Sequence, residues 1–478
     1  MFDRAIKGEA VFADRIQKVC IFVKGDKIER ILSQEALEGT HGEALLSQCK
    51  EVLDFDSNYL LFPSAIDAQV HSRSQKGAEG FTLASLQAVS SGVGTLVEMP
   101  YDEGLLVSNA KNLEAKKQEG LAQSLVDFAL YATIDPSEGT EKIEELIASG
   151  CCGFKFSTFG TDPKRFPRIP PYLLQESFSK IAPSGLVCGV HNEDDESVRH
   201  LVEKVKSERT DYLAHGLSRP PWSENIATAL VYELGVDTGA RAHIVHASNA
   251  RAYELAKAYR SQGYHADIEC CLHYLVFCEE ELEKLGGKAK VNPPIRSRFH
   301  REALWDYLKS GDITCVSTDH VSWSLDRKTK LNIFENSSGM SGLDLLLHLL
   351  LTEASRRGVD LRIIARVLAY NPARLFSLSH RKGALEAGRD ADLVVLRKQK
   401  HTYSSQSSLG RLAFSAYEGR ELDFKVAKHF IRGQLVFDEG QVLAKPGFGD
   451  FISPFSPSAA VDSMASSAAC RGKKKAIS

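Results

Sequence analysis

No apolar run in this chain approaches the roughly 20 residues that a membrane-spanning helix requires. Residues 1–20 carry Asp3, Arg4, Lys7, Glu9, Asp14 and Arg15, so they lack the apolar core of a secretory signal, and the expectation is a cytoplasmic protein. Neither sign of charge dominates: 59 basic residues face 62 acidic ones, for a formal net charge of −3. That balance gives no reason to expect nucleic acid or a membrane surface as partner. None of the ten cysteines stands in Cys-x-x-Cys spacing, which argues against a thiolate zinc site. Several, such as Cys188 and Cys315, lie inside apolar runs and read as small buried hydrophobes.

What remains is ordinary globular composition, 43% hydrophobic and 25% charged over 478 residues, enough for a large core. Residues 1–60 read as a small β region, with strands at Val19–Val23 and Ile28–Ile31 about a Lys24–Lys27 turn. From residue 61 to 376, short apolar strands alternate with helical stretches. The candidate strands are 64–70, 93–99, 126–132, 152–156, 186–190, 242–245, 265–269 and 313–316. Alternating units of this kind predict parallel β/α structure, and eight of them predict a closed (β/α)8 TIM-like barrel. A helix is expected over 361–368, with a stop and restart at Asn371-Pro372. Residues 377–452 return to β character, with a hairpin about Gly433, and are expected to complete a small β-sandwich with residues 1–60. The Ser-, Ala- and Pro-rich segment 453–478 reads as a flexible tail.

Polar residues recur at the carboxyl ends of these strands, the face where such barrels carry active sites. Gln69, His71 and Arg73 end the first, Lys155 lies within the fourth, and His191 ends the fifth. His246 follows the sixth, and Asp319 and His320 follow the eighth. Singly, each His reads as a core or capping residue, and Asp319 as a helix cap. Jointly, three His, an Asp and a Lys point to a metal site of imidazole and carboxylate ligands. His243, three residues before His246, faces the other way on a strand and reads either as packing or as a group that supports a ligand without being one. Lys155, between Phe154 and Phe156, is expected to be buried, and a buried ammonium must be paired, neutral or modified. One reading is a salt bridge across the barrel; the other is a carbamate formed with carbon dioxide, able to bridge two metal ions. Asp319 would then carry a proton from the attacking water to a leaving nitrogen.

These motifs resemble the amidohydrolase superfamily, in the branch of dihydroorotases, allantoinases and hydantoinases (dihydropyrimidinases). The carriers are Ile66-Asp67-x-x-Val70-His71-x-Arg73, Gly153-Phe154-Lys155, His191-Asn192-Glu193-Asp194, His243-Ile244-Val245-His246 and Glu269-Cys270-x-x-His273-Tyr274. Asn292-Pro293-Pro294, Ser317-Thr318-Asp319-His320, Asn371-Pro372-Ala373-Arg374 and Gly388-Arg389-Asp390-Ala391-Asp392 complete the set. The resemblance implies a metal-dependent hydrolase that opens the C–N bond of cyclic amides or ureides and assembles as a homodimer or homotetramer. It implies one or two zinc ions, with manganese or cobalt as alternatives, held by His71, carboxylated Lys155, His191, His246 and Asp319. Asp319 matches the general base, Arg73 a carboxylate-binding arginine and Asn292 a ring contact. In the mechanism so implied, a second metal or a His such as His320 would polarise the ring carbonyl.

Three positions depart from that pattern. Gln69 stands where the family has a metal-binding His, and its neutral amide is a poorer ligand for a borderline metal. Met99-Pro100-Tyr101 lacks the Asn that would assist Arg73, and Gly160 occupies the place of a hydantoinase Tyr. Gln69 therefore motivates a second expectation: a non-catalytic relative that keeps the fold as an assembly or regulatory subunit.

Overall fold

The computed structural model describes residues 1–162 and 164–454; the expected flexible tail falls, but for its first two residues, outside them. Eight strands form a parallel sheet in sequential order. They are β1 (Ala65–Val70), β2 (Val93–Glu98), β3 (Asp127–Ala132), β4 (Gly153–Ser157), β5 (Val187–His191), β6 (Arg241–Ile244), β7 (Ala266–Cys271) and β8 (Cys315–Ser317). A parallel bridge between Val70 and His320 closes the ring, with His71 N donating to His320 O at 2.9 Å. Each strand lies within two residues of its expected bounds, because short apolar runs between helical stretches leave little room for another register.

Period-2 alternation sets which side chains enter the barrel. On β4, Phe154 and Phe156 are fully buried, and Phe156 packs on Phe178 of the helix Pro171–Ile181 (centroids 5.9 Å apart). Lys155, between them, is thereby turned inward. Below it, Tyr131 fills the interior against the edge of Phe376. Gly189 on β5 makes room: a Cβ there would lie 2.9 Å from the Tyr131 hydroxyl.

The terminal segments meet in a separate nine-stranded sheet that folds over its own core of Ile6, Ile21, Leu61, Leu393, Val395 and Phe430, a sandwich. Leu393–Thr402 pairs antiparallel with Tyr59–Pro63, so the chain leaves this sheet directly into β1. The hairpin about Gly433 joins Glu421–Ile431 to Gln434–Asp438, with Gly433 at φ 69°. Phe2–Val11 and Cys49–Asp54 are strands that the sequence reading left undivided within its β region. The expected break at Asn371 is absent. Leu361–Ala365 continues through a π turn, Arg366–Tyr370, into Asn371–Leu375. Pro372 sits in the first turn of that last segment, where its missing N–H costs little.

A buried lysine ties the sandwich to the barrel. Lys382, 1% exposed, pairs with Asp390 (2.9 Å), Asp392 (2.7 Å) and Asp127 of β3. The three carboxylates gather as a metal site would, and the ammonium sits among them. Burial disfavours the charge on Lys382, but the three acids raise its pKa above the usual lysine range. Removing the cation leaves buried carboxylates uncompensated. Lys382→Met is expected to cost roughly 3–5 kcal/mol in urea denaturation; a loss below about 1 kcal/mol would show that the cluster does not hold the two units together.

Candidate active site

The carboxyl ends of the strands open into a cavity of about 470 Å3. Gln69, His71, Lys155, His191, His246, Asn292 and Asp319 all line it. Gln69 Nε2 donates to Asp319 Oδ1 at 2.6 Å, and His71 Nε2 lies 3.3 Å from the same oxygen. Across the cavity, His191 Nδ1 and His246 Nε2 are 3.0 Å apart. His246 and Asp319 adopt the left-handed region, at φ 42° and 49°. Such strain, roughly 1–3 kcal/mol per residue, persists only where the surrounding structure enforces it, and it gathers at functional sites.

The electrostatics suit a cation. Burial drives the pKa of His71 down despite Asp319, and burial together with His191 and Lys155 drives His246 well below the usual value. Both imidazoles are therefore neutral near pH 7, each with a lone pair to offer. Burial alone would raise Asp319, but the hydrogen bond with His71, aided by the Lys155 amine, holds it below the usual carboxylate range. Lys155 is 1% exposed; its carbonyl accepts from the Tyr101 hydroxyl at 3.0 Å, but among the described residues its amine makes no hydrogen bond or ion pair. Desolvation brings its pKa down to about 8, within reach of the free amine that reacts with carbon dioxide. Gln69 Oε1 and His246 Nδ1 are buried without partners. Two imidazole nitrogens in contact, an unpaired buried amine, a carboxylate and an orphaned amide oxygen make a donor set that fits zinc or a similar divalent ion.

Two expected site residues lie elsewhere. Arg73 does not line the cavity, because its guanidinium is drawn onto Glu119, with Asp102 at 3.6 Å. His320 is fully buried beneath the rim. Its Nε2 meets Glu79 at 2.8 Å, and its Nδ1 accepts from the Gly342 N–H at 3.2 Å. Arg73 was expected to bind substrate from the resemblance and His320 from its place after the eighth strand, and in each case an acid from another element captures the side chain.

The chain's matches to known proteins follow the same geometry. The family model described as "Amidohydrolase family" matches residues 60–436. The chain belongs to the amidohydrolase family. It is 32% identical to an allantoinase of Rubrobacter xylanophilus over 403 residues, 83% of this chain and 87% of that one. It is 31% identical to an allantoinase of Bacillus velezensis over 459 residues, 95% and 98% of the respective chains. Among solved structures, the L-hydantoinase (dihydropyrimidinase) from Arthrobacter aurescens superposes with TM-score 0.88 at 26% identity, covering 95% of this chain and all of that one.

This amidohydrolase also carries site residues that the sequence reading did not single out. Glu193 accepts from His191 Nε2 (2.7 Å) and from Arg219 Nη1 (2.5 Å). Against its burial, these two groups hold Glu193 well below the usual carboxylate range. Glu269 of β7 accepts from Ser317 Oγ (2.7 Å) and from the strained His246 N–H (3.3 Å). It also lies 3.5 Å from His243, which packs inside the barrel as expected. The acidic residue two places after a strand-end His was the available signal for Glu193.

A carboxylate on the far nitrogen of a ligating imidazole fixes its orientation and raises its basicity. Glu193→Gln is expected to weaken zinc binding on the order of 10- to 100-fold, read by competition with a chelating dye. Unchanged affinity would mean that His191 does not bind metal through its other nitrogen.

Proposed function

We propose that this chain is a metal-dependent hydrolase that opens the C–N bond of a cyclic amide or ureide. The observation that carries the reading is Lys155: a buried amine with no partner, between a His–Asp pair and a His–His pair. A carbamate on Lys155, with His71, His191, His246 and Asp319, would hold one or two zinc ions, manganese or cobalt being alternatives. Gln69 Oε1 remains as a weaker donor. When bound, the metal supplies Lewis-acid activation of water and of the ring carbonyl.

The chain's own groups account for the proton. Asp319, a carboxylate at neutral pH, accepts a proton from the water as its oxygen bonds to the carbonyl carbon. It returns that proton to the ring nitrogen as the C–N bond breaks, leaving an acid and an amide or urea nitrogen. Asn292 lines the same cavity and suits contact with the ring. The relatives named as allantoinases and hydantoinase support this chemistry over a non-catalytic assembly subunit, since they match the chain across nearly its whole length. Exposed Tyr172, Leu217, Trp222 and Ile226, on helices 171–181, 214–218 and 221–238, support a homo-oligomer. Among the described residues no helix is long and apolar enough to cross a membrane, in keeping with a cytoplasmic setting.

The test is a panel of hydantoins, dihydropyrimidines, allantoin and cyclic imides offered to zinc-loaded protein. At least one ring should open, chelation should abolish the activity, and Asp319→Asn should lower kcat on the order of 10²- to 10⁴-fold. A zinc-loaded protein that opens no ring would overturn the reading.

A further inference from the structure

The walls of the cavity carry five cationic side chains: Arg165, Arg199, Arg219, Lys290 and Arg327. Most are already engaged. Arg199 pairs with Asp195 (2.9 Å) and Arg219 with Glu193 (2.5 Å). Lys290 Nζ donates to the carbonyls of Ile333 (2.9 Å) and Asn336 (2.6 Å). Arg327 is exposed, spread over the Trp323 ring at 4.2 Å.

Arg165 differs. It follows β4 in the loop that covers the His71 side of the cavity. Its Nε donates to Tyr101 O (2.9 Å) and its Nη2 to Ser74 Oγ (2.7 Å), both neutral acceptors. Among the described residues no carboxylate pairs with it, and Nη1 has no acceptor. The guanidinium is half-buried beside Phe166, whose ring packs 4.0 Å from Tyr101 and 5.8 Å from His71. These two hydrogen bonds aim a planar fork; its burial is offset only in part, by Asp102, Glu103 and Asp162 acting at a distance without pairing with the guanidinium. A carboxylate accepts such a fork in bidentate fashion.

We infer that Arg165 is the specificity residue of this site and that the substrate class is a cyclic amide or ureide bearing a carboxylate outside the scissile bond. The inference rests on the ring-opening reading and assigns to Arg165 the carboxylate contact that Arg73, held by Glu119, does not make. Tyr101 and Ser74 are positioning residues that hold the fork in place.

Hydantoin-5-acetate and its uncharged counterpart hydantoin-5-acetamide test it. Zinc-loaded protein should favour the acid by about tenfold or more in kcat/KM, carried by KM, as befits a charged hydrogen bond. In Arg165→Gln the acid-to-amide ratio should collapse toward one. Arg165→Lys, which keeps the charge but loses the fork, should lie between. Equilibrium binding of both rings, measured by calorimetry, is the second readout. A ratio near one in the unaltered protein, or a preference that survives Arg165→Gln in both readouts, would overturn the inference. Arg165-dependent binding of the acid without turnover of either ring would uphold it and count against the ring-opening reading instead.

Discussion

A lysine is held inside a barrel with no direct ion pair, and the more distant Asp319 and Glu269 offset its burial only in part. Lys155 sits between two buried phenylalanines on β4, and its amine reaches no carboxylate. Burying Phe154 and Phe156 contributes roughly 1.5–3 kcal/mol each, more than enough to hold the strand in register. Desolvation of the amine, which brings its pKa from 10.5 to about 8, costs roughly 3 kcal/mol. The two terms are comparable, so the strand can keep the lysine inside but gains nothing from its charge. A carbamate on Lys155, as proposed above, would replace the buried cation with an anion that a divalent ion could pair with.

The rest of the site reads as consequences of that arrangement. Of the six non-glycine residues with positive φ among the described residues, two, His246 and Asp319, line the cavity that Lys155 enters. Gln69 takes a part that a histidine could not take in the same way. Its amide donates to the oxygen of Asp319 that also faces His71, and its own carbonyl is left open. Gln69 thus helps to orient Asp319, and its open carbonyl would offer a metal a weak oxygen donor in place of an imidazole. In the proposed reading this weakens metal binding on the His71–Asp319 side rather than abolishing it.

The barrel was legible because its signal repeats: eight apolar strands, each followed by polar side chains, leave few alternative folds. Lys155, His191, His246 and Asp319 were legible for the same reason, since each lies at a strand end in phase with the others. Arg73 and His320 met the same criterion and still point elsewhere. Their partners, Glu119 and Glu79, lie on other elements, so nothing local reveals the capture. Arg165 was illegible for the converse reason. It sits in an aperiodic loop flanked by prolines, and only the fold brings it against Ser74 and Tyr101. The π turn at Arg366–Tyr370 was hidden too, because Asn-Pro is compatible with a break and with a first helical turn alike.

The most direct measurement is of the Lys155 side chain itself. Zinc-loaded protein equilibrated with carbon-13 bicarbonate should show one carbamate carbon signal by NMR. That signal should be lost in Lys155→Met and lost together with the metal on chelation. The absence of any Lys155-dependent carbamate signal in metal-loaded protein would contradict the account at its centre.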